Sequence, residues 1–345
     1  MQKGRKMFDL SSWLDLPLIW GFIIATAVFL YVLLDGFDLG CGILFPFAPT
    51  DSCRNKIMNS IAPFWDGNET WLVLGGGGLF AAFPVAYAIL MPAFYLPVIF
   101  MLAGLILRGV AFEFRFKTSG KDRRIWDISF HAGSLTATFM QGVILGNFVQ
   151  GVEVSNRSFA GGPLDWANGF AFVTGVSLVF GYALIGATWL IWKCDDETQI
   201  WAKRVANYVF VFVAGAMGIV SLCMPFIDDK ISAFWFTTPN IFYLLPFPVL
   251  TCIAFLWLWK SLHSDNDVQP FILTIFIFLM GYAGIGISLY PWLVPFSFTV
   301  WDAAAASTSQ SLLLVGTVMF LPLILAYTAY SYYVFRGKTH DKSLY

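Results

Sequence analysis

Two pairs of carboxylic acids and one guanidinium interrupt the longest apolar stretches of this chain, and a fifth acid, Glu113, stands near the end of one. Asp35 and Asp38 stand in LLDGFDLGCG, Asp66 and Glu69 in IAPFWDGNETWLVLGGGG, and Arg108 with Glu113 in LILRGVAFEFRFK. In a helix the spacing i, i+3 puts each pair of acids on one face. A carboxylate inside a bilayer costs about 2.5–3.5 kcal/mol on insertion scales, so such groups face protein or water and mark ion and proton paths. Read this way, the four acids form a proton relay. Two blander accounts compete with it. The first pair could be a solvated, interfacial helix end, and the second a loop merging into a span. Arg108 either pairs with an acid of another span or snorkels to the membrane surface, as Arg115 and Lys117 are expected to do. Glu113 and Lys117 are spaced to pair along one helix at i, i+4. The run Gly75 to Gly78 has no lysine after it and no strand before it, so it is no phosphate loop; close helix packing explains it.

The elements that must carry these residues follow from composition. Of 345 residues 58% are hydrophobic and 12% charged, against about 45–50% and about 25% in soluble domains. Mean hydropathy is +0.73. One water-soluble core cannot hide that much apolar surface, and a disordered chain would need the opposite composition. A net charge of −1 leaves no basic footprint for nucleic acid. The apolar runs are too long for the strands of an outer-membrane barrel. The predicted fold is therefore an all-α integral membrane protein, a single polytopic domain over residues 1–345. Nine spans are expected, at Leu16–Phe45, Lys56–Leu90, Ala93–Phe114, Trp126–Val149, Phe170–Trp192, Val205–Met224, Ile241–Trp259, Phe271–Tyr290 and Leu312–Phe335. The second is long enough to start before the bilayer or to break near Pro63. A helix begun near Arg54 would carry Asp66 about 18 Å further in, near mid-bilayer. The first run is longer than a signal core and lacks a small-residue cleavage site, so no cleavable signal is expected.

Lysine and arginine set the orientation. Of 20 such residues, fourteen fall on the side of the C-terminus, five on the other, and Arg108 lies within a span. The positive-inside rule places the C-terminus in the cytoplasm and the N-terminus outside, against the local vote of Lys3, Arg5 and Lys6. The five cysteines form no CxxC pair and read as small hydrophobes in helices. Of three histidines, only His131 lies inside an apolar run, too few for a chain that holds several haems by itself. Asp302 or Ser307 is placed to cap the last helix.

Four blocks taken together, DGFDLGCGIL, NSIAPFWDGNETWLVLGGGGLFAAFPVAYA, LRGVAFEFRFK and VWDAAAASTSQSLLLVGTVMFLPLILAYTAY, resemble subunit II of the cytochrome bd quinol oxidase family, including its cyanide-insensitive branch. The likeness runs from the first span to the last. It implies two four-helix bundles plus one further helix, in the inner membrane of a bacterium. It also implies a haem-bearing subunit I that holds two b-type haems, one d-type haem and the quinol site. The complex would oxidise quinol, reduce O₂ to water and contribute to a proton gradient. This chain would ligate no haem or metal and have no catalytic residue of its own; it would support subunit I, alongside small accessory subunits in some members. A structural quinone is held in some relatives. By the same resemblance Asp66 is associated with proton delivery, Trp71 with the oxygen path, and Asp38 with the cytoplasmic acidic region that Asp35 and Glu69 would share. Some relatives carry His where this chain has Phe64, and some carry Gln at Glu69. A proton-coupled secondary transporter is the competing function, since intramembrane acids and broken glycine-rich helices suit it too.

Overall fold

The computed structural model describes residues 14–339, so Lys3, Arg5, Lys6, His340 and Lys342 lie outside the described residues. Helix α1 (Leu16–Leu44) starts on Asp15, whose carboxylate accepts from the Leu18 amide at 3.2 Å, with Pro17 in the first turn. These are the residues that satisfy or dispense with orphan amides at a helix start. At 1.5 Å per residue α1 is about 44 Å long, more than the roughly 30 Å of a hydrocarbon core.

The expected second span is three helices. α2 (Asp51–Ile61) is capped by Thr50, α3 covers Trp65–Ala82, and α4 covers Pro84–Ala93. The breaks fall at Pro63 and at Pro84, whose rings remove an amide; Phe83 before Pro84 leaves helical geometry, whereas Ala62 before Pro63 stays helical and the chain departs at Phe64. A continuous helix from Arg54 to Asp66 therefore does not exist, and the 18 Å depth inferred from it is wrong. Asp66 stands in the first turn of α3.

α5 (Tyr95–Arg115), α6 (Gly120–Gln150), α7 (Gly169–Lys193) and α8 (Asp196–Cys223) follow. After them come the short α9 (Asp229–Phe236) and α10 (Asn240–Leu244), then α11 (Pro246–Leu262), α12 (Gln269–Leu289) and α13 (Ser307–Val334). Two small antiparallel hairpins, β1–β2 (Val154–Ser155, Ser158–Phe159) and β3–β4 (Trp292–Val294, Phe298–Thr299), lie in the loops after α6 and α12. Among the described residues seven helical segments are long and apolar enough to cross a membrane: α1, α5, α7, α8, α10–α11, α12 and α13. The helices at the other two expected spans do not qualify, α3 because Asp66, Asn68 and Glu69 make its first turns polar, and α6 because its charges crowd the first turns, Lys121 to Asp127, and His131, Ser134, Thr136, Thr138 and Gln141 dilute the rest.

Glycine sets the closest helix crossings. A Cβ on Gly40 of α1 would lie 1.9 Å from the Tyr182 carbonyl oxygen, and one on Gly186 of α7 would lie 2.5 Å from the Gly40 carbonyl carbon. Gly104 and Gly133 let α5 and α6 touch in the same way, with 2.7 and 2.6 Å to each other's carbonyl oxygens. Small residues at such contacts are how membrane helices gain packing without a hydrophobic driving force between them.

The loops gather at two ends. At one, Lys56 meets Asp195 at 2.5 Å, Arg115 and Arg123 both donate to Asn55, and Lys203 and Lys338 flank Asp267 at 3.4 and 3.0 Å. At the other, Trp301 donates to Asp15, Gln310 donates to the Ala82 carbonyl, and Arg157 reaches the Asp302 carbonyl. The cation-rich loops therefore share one end. Asp302 caps no helix. Its carboxylate accepts from the Thr299 amide and hydroxyl and closes the turn after β4, while the residue before α13 is Ala306.

Candidate functional site

Most of the charged residues that the sequence singles out converge in the half of the helix bundle nearer the cation-rich end. Asp35 and Asp38 sit one turn apart on α1 and are both fully buried. Asp38 lies six residues, about 9 Å, before the end of α1, and Asp35 one turn deeper. Arg108 of α5 is 2% exposed and grips two acids: its Nη1 donates to Asp35 Oδ1 at 2.6 Å and its Nη2 to Glu69 Oε1. Of the two readings of Arg108, pairing with acids of other helices is the one found.

Asp38 has a different neighbour. Its Oδ2 accepts from Asn68 Nδ2 at 2.7 Å, and the same amide nitrogen donates to the Leu34 carbonyl at 3.1 Å. The Asn68 oxygen accepts from the Tyr332 hydroxyl at 3.0 Å. On the other side of Asp35 a polar chain runs through α7, α6 and α1. Tyr182 donates to Gln141 at 2.9 Å, Gln141 donates to the Tyr31 hydroxyl at 2.8 Å, and Tyr31 faces Asp35 one turn further along its own helix. Asp35 Oδ2, Asp38 Oδ1, Arg108 Nε and Trp71 Nε1 have no hydrogen-bond partner among the described residues. Two carboxylate oxygens in a buried, charged cluster are thus open to accept a proton or a water hydrogen. Three carboxyl groups face one guanidinium. With all of them ionised two negative charges would be uncompensated, and low dielectric makes that costly.

Asp66 does not join this cluster. It is exposed, on a face of α3 that also presents Gly67, Thr70, Val73, Gly76, Gly77 and Phe80. Glu69 lies between, with its side chain 30% exposed and one oxygen on Arg108. Trp71 is buried against Ala27 and Tyr31 of α1 and Leu321 of α13. Glu113 pairs with Lys117 at 3.6 Å, both exposed, and does not reach the cluster.

Tyr31, Gln141, Tyr182 and Tyr332 were not singled out from sequence. Gln141 carried a signal, since it is an amide in the middle of the run TFMQGVIL and intramembrane polar groups seek partners. The tyrosines carried none; Tyr332 in AYTAYSYYVF looks like part of an interfacial aromatic belt, and Tyr31 and Tyr182 are single aromatics in apolar runs.

Both described histidines turn a ring nitrogen to a backbone carbonyl. His131 Nδ1 lies 3.3 Å from the Gly42 carbonyl and His263 Nδ1 2.8 Å from that of Trp259. Among the described residues no group of three or more His, Cys, Asp or Glu is placed to hold a metal ion. The five cysteines are free thiols, and burial pushes that of Cys194, just beyond α7, up to about 12.

Comparison with known proteins agrees with this architecture. A family model described as cytochrome bd terminal oxidase subunit II matches residues 16–335. Cytochrome bd-I ubiquinol oxidase subunit 2 of Escherichia coli (strain K12) is 27% identical, over 94% of this chain and 95% of that protein. Cytochrome bd ubiquinol oxidase subunit 2 of Bacillus subtilis (strain 168) is 27% identical, over 94% and 97%. Among solved structures, a chain of the bd oxidase from Geobacillus thermodenitrificans superposes with a TM-score of 0.73 at 18% identity, covering 93% of this chain and 99% of that one.

Proposed function

The chain belongs to the cytochrome bd terminal oxidase subunit II family, and from that premise we propose that it brings protons to the oxygen-reducing site of a quinol oxidase whose haems lie on another subunit. Membership gives it a place in an oxidoreductase complex and a subunit I partner, and leaves the transporter reading without support. The finer composition belongs to the proposal: two b-type haems and one d-type haem in subunit I, small accessory subunits, and a structural quinone in the complex. So do nine membrane passes, arranged as two four-helix bundles plus one helix within a single domain, with the cation-rich end and the C-terminus in the cytoplasm. The alternation of loops between two ends supports nine passes, with α3–α4 and α6 as the two that are less apolar.

The observation that carries the reading is the buried cluster itself. Reduction of O₂ to water consumes protons, and a reacting site inside a bilayer receives them only through protonatable groups and water. Asp38 is the acid of the α1 pair nearer the cation-rich end. Asp35 and Glu69 share Arg108 one turn deeper, and Glu69 reaches the face of α3 that bears Asp66. A membrane-facing surface that shows a carboxyl, a hydroxyl and bare glycine backbone is poorly suited to lipid. We assign it to subunit I, so that Asp66 delivers its proton across the interface. Trp71, in its apolar setting between α1, α3 and α13, is assigned to the oxygen path.

Asp66→Asn tests this. It keeps the shape and removes the titratable proton. Quinol-driven oxygen consumption per haem should fall while haem content stays nearly intact, and Asp66→Leu should impair both. Wild-type turnover of Asp66→Asn at every pH would reduce Asp66 to a structural residue.

A further inference from the structure

We infer that Tyr332 is a positioning residue for Asp38, acting through the Asn68 amide that it anchors. This rests on the reading that Asp38 carries protons, and it adds a residue outside all the acid-bearing motifs. Asn68 is 2% exposed, and both of its amide donors and its oxygen have partners in one orientation. The oxygen takes the Tyr332 hydrogen, and the nitrogen serves Asp38 and the Leu34 carbonyl. Turned over, the amide would lose Leu34 and set its oxygen against Asp38, and only a protonated Asp38 could then donate to it. The Leu34 carbonyl can only accept, so it fixes which way the amide faces, and the phenol, by donating to the amide oxygen, anchors Asn68 where its nitrogen serves an ionised Asp38. Tyr332 neither touches Asp38 nor passes a proton.

The phenol is held by its surroundings. Its ring stacks on Phe64 at 4.3 Å. The end of α13 that carries it is tied to the end of α7 by two lysines, each capping the other helix. Lys193, the last residue of α7 and 3% exposed, donates to the Phe335 carbonyl from among the rings of Phe64, Trp189 and Trp192. In return Lys338 donates to the Cys194 carbonyl at 2.8 Å and to Ile191 at 3.3 Å, and pairs with Asp267. The Thr339 amide donates to the Lys193 carbonyl at 2.7 Å. Helix C-termini leave carbonyls without donors and favour cations, so each lysine satisfies its neighbour's end. The charged and titratable groups that face Asp38 are Asp35 and Cys41 on its own helix, Glu69 on α3, Arg108 on α5 and Tyr332 on α13.

The test is quinol-driven oxygen consumption per haem in Tyr332→Phe, Asp38→Asn and the double variant, each across a pH series. Tyr332→Phe keeps the ring stack. It should slow turnover by about three-fold, the scale of one hydrogen bond, with a ratio to wild type that changes with pH. The effect should vanish in the Asp38→Asn background. Wild-type turnover and pH profile in Tyr332→Phe, beside a slowed Asp38→Asn, would overturn the positioning role and leave the proton path standing. The same fold-loss with and without Asp38 would show a merely structural residue and also overturn it. A wild-type Asp38→Asn would overturn both readings at once.

Discussion

Replacing Arg108 by Met keeps most of the stem and deletes the one cation of the buried cluster. Asp35, fully buried and 2.6 Å from that guanidinium, would be left without its ion-pair partner, and Glu69 would lose its contact as well. Breaking a buried pair from one side costs about 3–5 kcal/mol, because the remaining charge is uncompensated or must take up a proton. The two acids are not equivalent. Asp35 is sealed on all sides, whereas the Glu69 side chain is 30% exposed and can reach other partners. Most of the loss therefore belongs to Asp35, and Asp35→Asn should restore more than half of it in the Arg108→Met background. Glu69→Gln should restore less. The assay is the melting temperature and assembled yield of the purified oxidase for the two single variants of the acids, Arg108→Met and both pairs. An Arg108→Met within about 1 kcal/mol of wild type, the size of an ordinary substitution, would refute the argument. So would a pair of substitutions whose losses simply add.

Two further outcomes follow from geometry elsewhere. Gly40→Ala places a methyl 1.9 Å from the Tyr182 carbonyl with backbone on both sides. It should cost at least about 1–3 kcal/mol by forcing α1 from α7, whereas Gly77→Ala, which meets nothing within 4 Å of its own chain, should leave the isolated chain's stability unchanged; equal melting temperatures for these two variants of the isolated chain would count against the crossing. Asp267 is the second case: burial works against its ionisation, but hydrogen bonds from Lys338 and Gln199 and the charges of Lys338 and Lys203 outweigh it and hold the carboxyl below the ordinary range. A depressed folded-state value gives stability that is complete above the unfolded value, near pH 4, and lost as pH falls through the folded one. Thermal stability against pH should therefore fall less steeply on the acid side in Asp267→Asn, and identical acid limbs would show that this tie is idle.

Much of this was legible in the residue order. The long apolar runs of α1, α5, α7, α8, α11, α12 and α13 announce membrane helices because nothing else needs so many uninterrupted apolar residues. The i, i+3 spacing of Asp35 and Asp38 put both on one face, and for the arginine inside an apolar run pairing with an acid was one of two open readings. What failed was depth along α3. Rise per residue holds only while a helix is continuous, and Pro63 resets it, so Asp66 falls in a first turn and outside the acid cluster. Asp302 looked like a cap because its type and place suit one, yet the Thr299 hydroxyl and amide are nearer partners. The Tyr332–Asn68–Asp38 link could not be read at all. It joins α13 to α3 and α1 across 264 and 30 positions, and a hydroxyl in a belt of tyrosines has no local mark that one of them points inward.

The central claim is that protons consumed in oxygen reduction reach the haem subunit through Asp38 and its neighbours. Mixing the fully reduced oxidase with O₂ in the presence of a pH indicator measures it most directly. In Asp38→Asn, oxygen binding should keep its wild-type rate while proton uptake slows by about ten-fold or more, the scale of a lost proton-transfer group. Proton uptake at the wild-type rate, with haem content unchanged, would contradict the account.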